Sequence, residues 1–188
     1  HSRDCQRIRL ETPILSDMHL AQIRNQSFSV FQTETLPILF SVSEDDLEKS
    51  LDNLFADADQ AIEEGKTLLI LTDREMNQKK AAIPALLAVA GLHHHLVRSG
   101  TRTKVSLLLE SAEPRDIHQL AMLISYGVDA VNPYLVFAIL DKAIQEKSIQ
   151  GMDFERAASR YIQTATEGII KIMSKMGIST IQRYRGAQ

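Results

Sequence analysis

The chain has 188 residues, with 21 Lys and Arg against 24 Asp and Glu, one cysteine and a formal net charge of −3. This length is typical of one domain, and it buries enough surface to fold without disulfides or a structural metal. The balanced charge argues against nucleic-acid binding, and no apolar run approaches the ~20 residues of a membrane span. The single Cys5 favours a reducing, cytoplasmic location, and the start, which has neither Met nor a secretory signal, is interpreted as a processing or cloning boundary.

Short apolar runs alternate with longer stretches of helical periodicity, which is typical of an α/β fold with a mostly parallel sheet. The runs that predict strands are 35–42, 67–72, 105–109 and 130–132, with 180–184 as a weaker fifth candidate. The second and third contain almost no polar residue, which predicts strands covered on both faces. We expect 1–188 to form a single domain in which residues 1–34 are a helical or irregular lead-in.

Five stretches predict helices. The first carries an apolar stripe from Leu47 to Ile62, with Ser43 placed to cap its first turn and Gly65 placed to end it. Three of the others open with proline, which lacks the amide that a first turn leaves unpaired. The predicted helices are 47–62, 84–99, 114–126, 133–147 and 153–176; Gly100, Gly127 and Gly177 follow the second, third and fifth.

Polar residues follow three of the predicted strands. If these strands pair in chain order, Asp73, Glu110 and Asn132 come to one edge of the sheet, with Arg74 and Arg115 beside them. A carboxylate pair there could act as acid and base. A glutamate held by an arginine and an asparagine that caps the next helix explain the same residues without chemistry, and we favour this structural or interface interpretation.

Two other clusters resemble catalytic or metal motifs but have the wrong spacing. His93, His94 and His95 are consecutive, so on a helix they point ~100° apart and cannot face one ion; we expect one to be buried and hydrogen-bonded. Ser174 and Lys175 diverge for the same reason, which argues against a Ser–Lys nucleophile. The chain also lacks the glycine-rich phosphate-binding motifs.

Six sequence blocks occur in order along nearly the whole chain. They are TDR at 72–74, IPALLAV at 83–89 continuing to HHH at 93–95, ESAEPR at 110–115, AVNPYL at 130–135, KIMSKMGIS at 171–179 and YRGAQ at 184–188. Together they resemble the central domain of the glutamate synthase large subunit. The chain departs from that pattern at Arg183, where a small polar residue is expected. It also begins inside the central domain and stops at Gln188, which suggests an excised piece or a split subunit.

The resemblance implies a partial or degraded β/α barrel with a sheet of four to five strands. In that family the large subunit joins a glutamine amidotransferase domain, the central domain, a synthase barrel with FMN and an iron–sulfur cluster, and a β-helix. The family's catalytic cysteine, flavin contacts and cluster cysteines lie outside the matched region. The resemblance therefore implies that this chain holds no catalytic, cofactor or metal site, and that FMN and the cluster belong to other domains of the parent.

The parent implied by the resemblance transfers the amide nitrogen of glutamine reductively to 2-oxoglutarate, forming glutamate. This domain would connect the amidotransferase and FMN domains and help to form the ammonia channel between them. Asp73, Arg74, Glu110, Arg115 and Asn132 are then interdomain or channel candidates. Two alternatives remain: a self-contained β/α enzyme that uses Asp73 and Glu110 as acid and base, and a partner-binding module marked by an exposed apolar patch.

Overall fold

The computed structural model describes residues 8–25, 31–44 and 46–177. In chain order the elements are α1 (Asp17–Asn25), β1 (Thr33–Pro37), β2 (Leu39–Ser41), α2 (Leu47–Glu63), β3 (Leu68–Thr72), β4 (Lys80–Ala82), α3 (Ala85–Arg98), a short 3₁₀ turn (Arg102–Lys104), β5 (Ser106–Glu110), α4 (Ile117–Ser125), β6 (Ala130–Asn132), α5 (Tyr134–Gln145) and α6 (Phe154–Lys175). The strand predicted at 180–184 lies outside the described residues. None of the described helices has the length and apolar character needed to cross a membrane.

Four strands form a parallel sheet in the order β1-β3-β5-β6. The predicted pairing of the later strands in chain order is confirmed, with Ile70 opposite Leu108 and Leu109 opposite Val131. Every residue of β3 and β5 is buried, as their lack of polar residues predicts. In the part of the chain that the structure describes, these strands form an open sheet and not a closed barrel. The α/β class and the partial-barrel expectation are therefore confirmed.

The first predicted strand is wrong as a single element, because residues 35–42 divide between two sheets. β1 pairs with β3, whereas β2 pairs antiparallel with β4 in a separate two-stranded sheet. The division occurs after Pro37, which has no amide to donate to a ladder. The next residue, Ile38, is fully buried, and its amide bonds to the carbonyl of Thr72. β4 has three residues and no apolar alternation, so the sequence gives no signal for it.

The two faces of the main sheet are covered unequally. One face packs against α2 to α6 in a large apolar cluster that includes Leu69, Leu107 and Val131. The alternate residues of the same strands face the other way, because successive side chains of a strand point to opposite faces. There Leu68, Ile70 and Leu108 meet Leu15 and Leu20 in a smaller cluster. The described part of the predicted lead-in thus covers this face of the sheet at β3, β5 and β6, whereas Thr35 and Pro37 of β1 stay exposed.

The lead-in also extends one edge of the sheet. Ile14 forms a parallel bridge with Val131, and the amide of Val131 donates to the carbonyl of Pro13 at 2.8 Å. The chain then continues as α1 and returns as β1 at the opposite edge. The described parts of residues 1–34 therefore contribute a bridge, a helix and the start of a strand.

The helix starts differ from the sequence predictions. Asp46, not Ser43, caps α2: its carboxylate accepts from the amide of Lys49 at 2.6 Å. The prolines do not lie in the first helical turn. Pro84 and Pro133 are N-cap residues with non-helical ψ angles of 127° and 75°, and Pro114 precedes a capping box formed by Asp116 with Gln119. The predicted stops are confirmed, since Gly65, Gly100, Gly127 and Gly177 all have positive φ.

Candidate functional site

The predicted polar edge exists, and strand register builds it. Thr72, Glu110 and Asn132 end β3, β5 and β6 side by side, and all three side chains emerge on the α1 face. Asp73 follows one residue later, so by the same alternation it belongs with the opposite face. Glu110 is the last residue of β5, whereas the predicted strand ended one residue before it, and Asn132 ends β6 as it ends the predicted strand. All four residues are buried.

Glu110 is the most densely bonded residue of this edge. Its carboxylate accepts two hydrogen bonds from Arg24, at 3.1 and 2.9 Å, one from Thr72 at 2.6 Å and one from Arg74 at 2.8 Å. Burial alone would raise the pKa of this carboxyl, but the hydrogen bonds from Arg24, Thr72 and Arg74 outweigh it and lower the pKa to about 2. Glu110 is therefore ionised at neutral pH and fully engaged with its donors.

Arg74 joins three parts of the molecule. Its Nε donates to Glu110, its guanidinium lies 4.2 Å from the ring centre of Tyr134, and its Nη2 is 3.5 Å from Asp17 in α1. Burial lowers the pKa of Arg74, whereas the hydrogen bond and charge of Glu110 raise it, with a net rise. The side chain is 44% exposed, so the outer surface of this edge presents a partly open cation stacked on an aromatic ring.

Asp73 has a separate set of partners. Its carboxylate accepts from the hydroxyl of Ser111 at 2.6 Å, from the amide of Ala112 at 3.2 Å and from the hydroxyl of Tyr134. Burial and the bond to Asp73 together raise the pKa of the Tyr134 phenol, so it stays protonated and donates. This arrangement fixes the loop after β5 and the start of α5 to the end of β3.

The sequence predicts that Asn132 caps α5, and this prediction is wrong because Pro133 occupies the N-cap position. The side-chain amide nitrogen of Asn132 instead donates to the carbonyl of Leu15 and to the carboxylate of Asp17, each at 2.9 Å. The Oδ1 atom is buried and has no protein partner within the described residues. Asn132 thus ties the segment before α1 to β6.

Arg115 is the predicted edge residue that the structure places apart. It is exposed ahead of α4, and its amide donates to Oε1 of Gln119 at 2.8 Å as part of the helix cap. Sequence reasoning missed Arg24 and Asp17 of α1, which complete the edge. Asp17, Leu20 and Arg24 are spaced three and four residues apart, which places them on one helix face. This spacing is a sequence signal from which the two polar residues could be predicted.

The edge is built to hold its parts together. Asp73 and Glu110 accept hydrogen bonds from different donors, and Arg74 and Tyr134 link the two sets, since Arg74 donates to Glu110 and stacks on the ring whose hydroxyl donates to Asp73. Glu110 is held as an anion by two arginines and Asp73 accepts from two hydroxyls and one amide. The geometry stabilises the junction of the strand ends, α1 and α5.

The three consecutive histidines diverge as predicted. His93 accepts from Arg102 at 3.1 Å, whereas His95 contacts the carboxylate of Asp59 at 2.8 Å and stacks on Phe55. Both are half-buried and His94 is exposed. The prediction of one buried, hydrogen-bonded histidine is therefore wrong, because two histidines are bonded and neither is fully buried. No group of three or more His, Cys, Asp or Glu residues within 8–25, 31–44 and 46–177 is placed to hold a metal ion.

An iron–sulfur cluster does not fit this chain's donor set. Such clusters are held by about four Cys thiolates, or two with two His in one class. The whole sequence contains one cysteine, Cys5, which lies outside the described residues. The chain by itself cannot supply the ligands, whatever the position of that thiol.

Comparison with known proteins decides the family. The family model described as "Glutamate synthase central domain" matches residues 1–188. The chain belongs to the glutamate synthase central domain family. It is similar to the glutamate synthase [NADPH] large chain of Bacillus subtilis, with 46% identity over 186 residues, 99% of this chain and 12% of that protein. The resemblance found in the six sequence blocks is confirmed.

Relatives with other electron donors in their names match the same domain. Glutamate synthase [NADH] of Saccharomyces cerevisiae is 35% identical over 199 residues, which cover 100% of this chain and 9% of that protein. Ferredoxin-dependent glutamate synthase 2 of Synechocystis sp. is 34% identical over 194 residues, 96% of this chain and 12% of that protein. The chain thus spans about a tenth of the length of these relatives.

Proposed function

We propose that this chain is the non-catalytic connecting domain of a glutamate synthase large chain. The parent enzyme would transfer the amide nitrogen of glutamine reductively to 2-oxoglutarate and form glutamate. Membership of the central domain family supports this placement. The proposal also assigns FMN and the iron–sulfur cluster to other domains, the amidotransferase and FMN domains as partners, the range 1–188 as one domain, and the cytoplasm as the location.

The observation that carries the non-catalytic role is the saturation of the strand-end carboxylates. In parallel α/β folds the carboxyl edge of the sheet is the usual place for ligands and chemistry. Here Glu110 accepts four hydrogen bonds and Asp73 is bonded to Ser111, Ala112 and Tyr134. A buried carboxylate whose lone pairs are already used is a structural group, because it must break existing bonds before it can take a proton from a substrate.

We further propose that this edge faces the ammonia path between the two reaction sites. Asp73, Arg74, Glu110 and Asn132 fix the strand ends, α1 and α5 to one another, and exposed Arg115 lies at the next helix start. A rigid junction suits a channel wall, because a gap in the wall would release ammonia to solvent before it reacts. The role of each residue is therefore to maintain the wall and not to react.

Substitution in the full-length large chain tests this role. Glu110→Gln leaves Arg24 and Arg74 without their shared anion, and Asp73→Asn places an amide where three donors converge. We expect glutamine hydrolysis and glutamate synthesis from added ammonia each to stay within about twofold of wild type. The free ammonia released per glutamine hydrolysed should rise about tenfold. This corresponds to a change of about 1.4 kcal/mol in the partitioning of ammonia between reaction and loss to solvent.

Glu34→Gln is the matched control, because Glu34 is a half-exposed carboxylate at the opposite sheet edge whose pair with Lys66 spans 3.7 Å. It should leave all three rates unchanged. Loss of either half-reaction in Asp73→Asn or Glu110→Gln, in protein whose thermal unfolding begins well above the assay temperature, would instead support an enzyme that uses these carboxylates directly. Unchanged ammonia release in both variants would contradict the channel role.

A further inference from the structure

An apolar cavity of about 180 Å³ lies at the same end of the molecule as the polar edge, between the first turns of α3 and α4. α4 follows β5 of the parallel sheet, so its first turn lies near the carboxyl edge, and the amide of Ala85 at the start of α3 bonds to Glu113 in the loop between β5 and α4. The cavity is lined by Ala85, Leu86, Glu113, Pro114, Gln119, Met122 and Leu123. An apolar protein cavity of about 150 Å³ holds a benzene molecule, so this space accommodates one large apolar side chain.

Two polar side chains of the lining each use one atom to bond a helix end. The carboxylate of Glu113 accepts from the amide of Ala85 at 2.8 Å and so caps α3, whose own N-cap residue is proline. The side-chain oxygen of Gln119 accepts from the amides of Arg115 and Asp116. Most of the lining surface is apolar, so the chemistry of the cavity favours an aliphatic or aromatic occupant.

Two apolar side chains of the lining are partly exposed. Met122 is 43% exposed, and Leu86 is half-buried. Methionine adapts to irregular partners through its three rotatable bonds. Helices in solution normally turn polar residues outward, so large apolar groups around a cavity mark a surface that is covered in the assembled protein.

We infer that this surface receives an apolar side chain from another domain of the same large chain. The inference rests on the proposed placement in glutamate synthase and deepens it by naming the docking surface. The matched relatives provide the occupant: nearly nine-tenths of the length of the Bacillus subtilis large chain lies outside the region matched by this domain. Since the cavity lies at the carboxyl edge, the docked domain would meet the connecting domain beside the proposed channel wall.

Thiol labelling of the full-length large chain tests the surface. Met122→Cys and Val97→Cys each place a thiol at an exposed apolar position, 43% and 52% exposed in this domain. Met122 lines the cavity, whereas Val97 lies near the C-terminal end of α3 and outside the lining. Labelling by a maleimide is followed for each site by peptide mass, in folded protein and in urea. In folded protein, we expect the thiol introduced by Met122→Cys to react with the maleimide at least about tenfold more slowly than the thiol introduced by Val97→Cys. In urea, both thiols should react at the same rate.

Equal labelling of the two folded sites would overturn the inference, because the surface would then be free in the full chain. Protection that disappears on dilution would also overturn it, since the occupant would be a second copy and not the same chain. The readout needs no turnover, so it is independent of the ammonia measurement. Protection without a change in ammonia release in the Glu110→Gln protein would leave the docking surface standing and reject the channel role.

Discussion

At the scale of single residues, Glu110 shows how a buried charge becomes a structural device. Removing a carboxylate from water costs several kcal/mol, and only charge-assisted hydrogen bonds of good geometry offset that cost. Arg24 binds Glu110 through two nitrogens, and Arg74 and Thr72 complete the set. Because Arg24 belongs to α1 and Glu110 to β5, this one carboxylate fastens the helix to the strand end.

The lowered pKa of Glu110 predicts an acid-sensitive contribution to stability. The folded pKa is about 2 against an ordinary 4.5, so the contribution is fully present above about pH 4.5 and is lost as pH falls toward about 2. Its size is about 3 kcal/mol, since each pKa unit corresponds to 1.36 kcal/mol. Urea unfolding of wild type and Glu110→Gln at pH 6 and pH 2.5 should show the difference in unfolding free energy shrinking at the lower pH.

Glu34→Gln provides the comparison for this titration, because exposed ion pairs contribute only about 0–1 kcal/mol. Its difference from wild type should be small at both pH values. A difference for Glu110→Gln that stays constant from pH 6 to pH 2.5 would show that the arginines do not hold Glu110 ionised in the folded state.

At the scale of elements, α2 is capped by Asp46, which lies three residues after the predicted cap, Ser43. Asp46 has extended backbone angles of −88° and 160°, and its carboxylate reaches the amide of Lys49. Ser43 is exposed in the preceding turn. Both are good capping residue types, so composition alone could not choose between them.

Alanine substitutions distinguish the two residues. Asp46→Ala should lower the unfolding free energy by about 1 kcal/mol, because a first-turn amide of α2 loses its acceptor and the helix dipole loses a favourable charge. Ser43→Ala is the control and should change it by less than about 0.5 kcal/mol. Urea denaturation of both proteins provides the comparison, and equal effects would mean that α2 is not capped by Asp46.

The elements that could be predicted are those whose signal is local. β3, β5 and β6 were placed to within one residue, because apolar runs buried on both faces leave a clear pattern. β2 and β4 could not be predicted as separate strands, because a strand of three residues such as Lys80–Ala82 is too short to show an alternation of apolar and polar residues. The polar edge was found at Asp73, Glu110 and Asn132 because parallel strands end together. The spacing of Asp17, Leu20 and Arg24 indicates a shared helix face, but the contacts of Arg24 and Tyr134 with this edge depend on how α1 and α5 dock, which no local pattern specifies.

At the scale of the whole molecule, the unequal cover of the sheet predicts unequal local stability. α1 buries one side chain, Leu20, whereas β3 and β5 are buried throughout. Segments with few buried apolar contacts open at lower free energy than the core. We therefore expect the amides of α1 to exchange with deuterium well before those of β3 and β5.

Leu20→Ala should widen this difference. The substitution removes about 2 kcal/mol or more of apolar contact, which speeds opening-limited exchange of α1 by about 30-fold without a matching change in β3. Met18→Ala is the control on the same helix, because Met18 is 55% exposed. Exchange of α1 that is as slow as that of β3 in the unmodified chain, and unaffected by Leu20→Ala, would show that α1 opens only with the whole domain.

The bond from Asn132 to the carbonyl of Leu15 joins residues 117 positions apart. A ribosome adding about 5–20 residues per second makes the earlier partner wait roughly 6–23 seconds for the later one. For the first part of that interval the nascent segment lacks Leu68 and Ile70 of the smaller apolar cluster, and for most of it the segment also lacks Leu108 and Ala130. We therefore expect chaperones to bind the apolar residues of this segment mainly during early translation of the domain.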